Sequence, residues 1–162
     1  MKDENSVKDV VCGMSVDRAS FGIDHQGSHF AFCSAQCRER FLANPHLYVG
    51  LPGRPAPKQS GETVLKRRRF SLDTGLDPEQ SETVRARVGA LMGIQAVEMR
   101  SGEVIVTYDL VQATAAQIEA AFADAGARLS GGWAERLRRS FVHYTEECEI
   151  GHLQVGPPSG CH

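Results

Sequence analysis

No window of the sequence approaches the roughly 20 consecutive apolar residues that a membrane-spanning helix needs, so membrane insertion is not expected. A basic excess is also missing: 18 Lys and Arg stand against 20 Asp and Glu, for a net charge of −2. A chain with no positive charge to spare for phosphates is a poor nucleic-acid binder. The first residues, M-K-D-E-N-S, are charged and polar with no apolar leader core after them, so a cytoplasmic address is expected. Signatures of catalysis are absent too. There is no paired acid and base, no nucleophile with a base at recognisable spacing and no phosphate-cradling glycine loop. Neither catalytic residues nor an organic cofactor site is expected, and the chain reads as a non-enzyme. Cysteine is sparse, five in 162 residues, and Cys33 and Cys37 are separated by three residues where a thiol oxidoreductase usually has two.

What is present is a cluster of three of those cysteines. Cys12, Cys33 and Cys37 form the pattern C-x20-C-x3-C inside V-C-G-M-S-V-D and F-A-F-C-S-A-Q-C-R-E-R-F. In a reducing compartment such cysteines serve metal or redox chemistry more readily than a disulfide framework. Ser34 is placed to cap a helix with Cys37 in its first turn and Cys33 just before it, where a helix N-terminus favours thiolate over thiol. Gly13 allows a tight turn beside Cys12. Phe41, Leu42 and Tyr48 are expected to cover the site. Three thiolates suit copper(I) or silver(I) in a trigonal site, or zinc(II) in three quarters of a tetrahedral one. Candidates for a fourth ligand are His25, His29 and Met14.

Along the chain, residues 1–50 form one compact unit, with a short strand at His29 to Phe32 and the capped helix ending at Asn44-Pro45. Residues 51–61, L-P-G-R-P-A-P-K-Q-S-G, read as a semi-extended linker. Residues 62–130 carry a β-α-β-β-α-β order. A strand from Val64 to Leu72 precedes a helix opened by the capping box of Asp77 and Gln80, with Val84, Val88 and Leu91 on one face. Strands Ile94 to Met99 and Val104 to Tyr108 make a hairpin, Thr114 and Gln117 box a second helix, and a last short strand is expected at Ala127 to Leu129. The fold class is therefore α+β, with a ferredoxin-like second domain. Residues 131–162 form a C-terminal helix and a flexible tail. Trp133, Leu137, Phe141 and Tyr144 make a helical stripe expected to pack on one of the domains.

Residues 8–49 resemble a YHS domain of the TRASH group of metal-binding modules. V-C-G-M-S-V-D matches its opening, F-A-F-C-S-A-Q-C its strand and cysteine pair, and F-L-A-N-P-H-L-Y its closing helix and turn. The resemblance implies a small treble-clef-like fold, a role in heavy-metal trafficking, resistance or sensing, and Cys12, Cys33 and Cys37 as ligands. The tyrosine of the family name is absent, with His29 and Phe30 in its place. More faintly, residues 63–129 are similar to a heavy-metal-associated domain through G-I-Q-A-V-E-M, G-E-V-I-V-T-Y-D and A-A-Q-I-E-A-A-F-A-D-A-G-A. That family's G-M-x-C-x-x-C has lost both cysteines here, replaced by Pro78 and Ser81, so this domain is not expected to bind copper in the family's way. Together the two resemblances suggest a copper(I) or silver(I) chaperone or accessory, with a metal-transporting P-type ATPase as partner and homodimerisation left open. The alternatives are a structural-zinc adaptor and a thiol-based metal sensor.

Three further features remain. His143, Glu147, Cys148 and His152 offer a second set of metal donors, with His143 and Glu147 at helical i, i+4 spacing. Cys161-His162 offers a looser pair. The run Lys66-Arg67-Arg68-Arg69 reads as a solvated strand face.

Overall fold

The computed structural model describes residues 5–155. These fall into two compact units, residues 63–152 forming the second and the remainder the first. No helix among the described residues is long and apolar enough to cross a membrane.

The first unit is built from two small hairpins and a helix. Strand β1 (Ser6–Lys8) pairs antiparallel with β2 (Ser15–Asp17), and β3 (Ile23–His25) with β4 (Ser28–Phe30). The expected strand at His29 to Phe32 is thus shifted toward the N-terminus, because Ala31 and Phe32 leave the ladder to enter the core, 2% and 0% exposed. Helix α1 (Ala35–Ala43) is capped by Ser34, whose hydroxyl accepts the Cys37 N–H. A single turn, α2 (His46–Val49), follows Pro45. A cysteine-bearing loop, a hairpin and a helix with the last cysteine in its first turn make the expected treble-clef-like plan. Its core is an aromatic cluster centred on Phe41, with ring centroids 4.8 Å from Phe30, 5.3 Å from Phe32 and 6.1 Å from Tyr48. Leu42, expected to help cover the site, is instead 55% exposed on the outer face of α1.

Residues 51–61 are not a semi-extended linker. They fold back on the first unit, with Ala56 fully buried and the Lys58 N–H donated to the Leu47 carbonyl at 3.0 Å. Gly50 makes the reversal at φ +71°, and a Cβ there would stand 2.6 Å from the Arg54 carbonyl oxygen, so only glycine fits.

In the second unit β5 (Leu65–Ser71), β7 (Glu103–Asp109) and β6 (Ile94–Arg100) form an antiparallel sheet in the order β5-β7-β6. Helices α3 (Pro78–Gly89) and α4 (Ala115–Asp124) pack against each other, and both open with the expected capping boxes. This is the ferredoxin-like order, with Val84, Val88, Val104, Val106, Ile118 and Phe122 all fully buried. Leu91 lies past the end of α3 and is only partly buried. The expected last strand is reduced to a single bridge, Leu72 to Leu129, because Gly131-Gly132 carries the chain away after one pairing. Lys66 to Arg69 is not a free basic face. Alternate residues point to opposite sides of the strand and each meets an acid: Lys66 Glu149, Arg67 Glu98, Arg68 Glu146 and Arg69 Glu103.

Helix α5 (Trp133–Val155) corrects another expectation. The stripe of Trp133, Leu137, Phe141 and Tyr144 does not pack on a domain; these residues are 76%, 64%, 64% and 63% exposed. The opposite face is the anchored one, through Ile150 and Glu146, both 2% exposed. Glu146 accepts hydrogen bonds from the Tyr108 hydroxyl and from the Ala115 N–H. Those bonds stand at the free N-terminal end of α4, which a carboxylate suits electrostatically.

Candidate metal centre

Cys12 lies in the loop joining β1 and β2, where Gly13 turns the chain at φ +83°. Cys33 follows β4, and Cys37 is fixed by the Ser34 cap in the first turn of α1. The Cys33 sulfur is 3.5 Å from the Cys12 sulfur and 3.5 Å from the Cys37 sulfur. This is far beyond the ~2.05 Å of a disulfide, and all three are free thiols. It is a few tenths of an ångström short of the spacing of about 3.8 to 4.0 Å that metal–sulfur bonds of ~2.3 Å impose in tetrahedral or trigonal geometry. A small outward movement of each side chain accommodates an ion.

A fourth residue belongs to the group. One carboxylate oxygen of Asp9 and the three sulfurs all lie within 4.8 Å of one another, the one such set of His, Cys, Asp and Glu donors among the described residues. Asp9 is completely buried. Its Oδ1 accepts the N–H groups of Val11 at 2.8 Å and Cys12 at 3.3 Å, and its Oδ2 accepts that of Cys33 at 2.8 Å. The carboxylate therefore clasps the Cys12 loop to the start of the Cys33 turn. Burial works against its charge, but the N–H groups of Cys33 and Val11 outweigh burial and hold its pKa below the usual value. Sequence reasoning missed Asp9. The one local signal was an Asp two places before Val11, the spacing at which a side chain closes an Asx turn onto the backbone.

The other candidate ligands lie elsewhere. His25 is outside the sulfur group and packs edge-on against Phe41, centroids 5.3 Å apart. Both ring nitrogens of His29 are engaged, Nδ1 with Asp24 and Nε2 with the Arg18 carbonyl, each at 2.8 Å. The Arg18 carbonyl first and Asp24 second raise its pKa. Met14 is 49% exposed. The second donor set is not brought together either: His143 turns to Glu119 at 3.0 Å, while Glu147, Cys148 and His152 are exposed on α5. Cys161 and His162 lie outside the described residues.

The expected preference for thiolate at the helix start is overridden in the metal-free protein. Burial, then the hydrogen bond with Cys33 and the Asp9 charge, push Cys12 up to about 12 against the opposing pull of the Met14 N–H. Burial, Asp9 and the neighbouring thiols push Cys37 higher still. Both are therefore protonated at neutral pH and must each lose a proton to ligate as thiolate. An ion bound here is expected to be held more tightly as pH rises, by about a hundredfold per pH unit for the two protons released. Anaerobic titration with copper(I) at several pH values reads this directly. A flat profile means that the thiols are not the ligands.

Residues 7–51 match the family model of the YHS domain. No curated protein sequence matches the chain. Two solved structures are similar to part of it. The solution structure of apo-CopP from Helicobacter pylori is 21% identical, covers 40% of this chain and 100% of its own, and has a TM-score of 0.38. The crystal structure of oxidized MerP from Ralstonia metallidurans CH34 is 20% identical, covers 41% of this chain and 96% of its own, and has a TM-score of 0.39.

Proposed function

We propose that this protein, with a YHS domain at residues 7–51, binds a soft heavy-metal ion through Cys12, Cys33 and Cys37 and passes it on, as a chaperone or accessory in metal trafficking or resistance. The observation that carries this reading is the gathering of three free thiols around one point, braced by Asp9. Copper(I) or silver(I) comes first and zinc(II) second. A trigonal copper(I) site is complete with three sulfurs, whereas zinc(II) needs a fourth donor. The nearest, Asp9, already takes three backbone N–H groups, and recruiting it costs part of that clasp. The partner proposed is a metal-handling protein such as a metal-transporting P-type ATPase, and the site of action a reducing, cytoplasmic compartment where the thiols stay free. The role is binding rather than catalysis.

One observation favours the structural-zinc alternative: Cys37 is fully buried, which suits an ion that never leaves. Removal of the metal separates the two. Under the carrier reading the Asp9 clasp and the Phe41 cluster hold the first unit folded without an ion, so the circular dichroism spectrum survives chelation unchanged. Under the structural reading chelation unfolds that unit, as it does a zinc finger.

A further inference from the structure

We infer that the exposed apolar face of α5 is a self-association surface, on which a second copy of this chain docks with its own α5 running antiparallel. At 3.6 residues per turn, Trp133, Leu137, Phe141 and Tyr144 fall within about 80° of helix arc, so they form one narrow stripe. All four are more than 60% exposed. A contiguous stripe containing Trp, Phe and Tyr is the composition of an interface centre, and a monomer has no reason to leave it in water.

Charge complementarity selects the occupant and its direction. Arg136 and Glu147 lie on the same edge of the stripe, since eleven residues return the helix to within about 20° of the starting direction. Both are exposed, and neither takes part in an ion pair among the described residues. In an antiparallel pair related by a two-fold axis, each edge faces the same edge of the other copy. With the axis at Phe141, Arg136 of each copy meets Glu147 of the other, Leu137 sits beside Tyr144, and the two Phe141 rings meet at the centre. The surface is thus complementary to itself, as a closed two-fold interface requires. In a parallel pair related by a two-fold axis the opposite edges face each other, which brings Arg136 near Arg138 of the other copy, and like charges oppose it.

The test is the mass of the full-length protein by sedimentation equilibrium across micromolar concentrations. Wild type is expected at twice the chain mass. Phe141→Glu removes no core contact and is expected to weaken the dimer at least ~100-fold. Arg136→Glu and Glu147→Arg are each expected to weaken it about tenfold, and the double variant to recover wild-type association. Three outcomes overturn the inference: a monomeric wild type, a dimer indifferent to Phe141→Glu, or a double variant no tighter than the single ones.

Discussion

Replacing Asp9 with alanine is expected to unfold the metal-free first unit while leaving the second folded. Asp9 is fully buried, and three backbone N–H groups, of Val11, Cys12 and Cys33, end on its carboxylate. Alanine leaves them without their acceptor. At about 1–3 kcal/mol for each buried unsatisfied donor, the three sum to about 3–9 kcal/mol. A unit of this size has a total stability of only about 3–9 kcal/mol, so the change consumes most of it. Amide resonances of residues 5–62 should lose their dispersion, and those of 63–152 should keep it. Asp9→Asn retains one good acceptor but turns an N–H donor toward Cys33, so its loss is intermediate. The same clasp predicts acid sensitivity. Because the folded pKa of Asp9 lies below its unfolded value, its contribution is complete above the ordinary carboxylate range and disappears as pH falls below it. Unchanged dispersion in Asp9→Ala at neutral pH would show that the two cysteine loops hold together without the clasp.

The second large effect is on the ion. Serine in place of cysteine substitutes a hard hydroxyl, which stays protonated, for a soft thiolate. If an apparent binding energy of about 10 kcal/mol or more is shared by three sulfurs, each carries about 3 kcal/mol, or at least ~100-fold in affinity. The variant Cys12→Ser/Cys33→Ser/Cys37→Ser is expected to have no measurable copper(I) affinity. It retains Asp9 and every backbone N–H that Asp9 accepts, so the loss of binding is not expected to be a loss of fold.

The parts of this molecule that were legible in the sequence are those fixed by local chemistry. Ser34, Asp77 and Thr114 each cap a helix through a residue three places on, and a reading of four residues suffices to place them. Cys33 and Cys37 sit side by side because one precedes and the other occupies the same first helical turn. Asp9 escaped because its decisive bond, to the Cys33 N–H, spans 24 residues, and the local turn onto Val11 does not reveal that partner. The α5 stripe shows a different limit. Periodicity located Trp133, Leu137, Phe141 and Tyr144 on one side of the helix but does not say which side faces the protein. That choice was made by Glu146, whose bonds to Tyr108 and Ala115 exist only in the folded unit. The linker reading of residues 51–61 failed for a related reason: proline content suggested extension, while the reversal at Gly50 and the burial of Ala56 are tertiary.

Competition with a copper(I) chelator under anaerobic conditions tests the central claim most directly, with wild type and the triple serine variant compared at equal concentration. The account predicts that wild type withdraws one equivalent of copper(I) per chain from the chelator and that the variant withdraws none. Equal withdrawal by the two proteins would contradict it, because the ion would then be held by residues other than Cys12, Cys33 and Cys37.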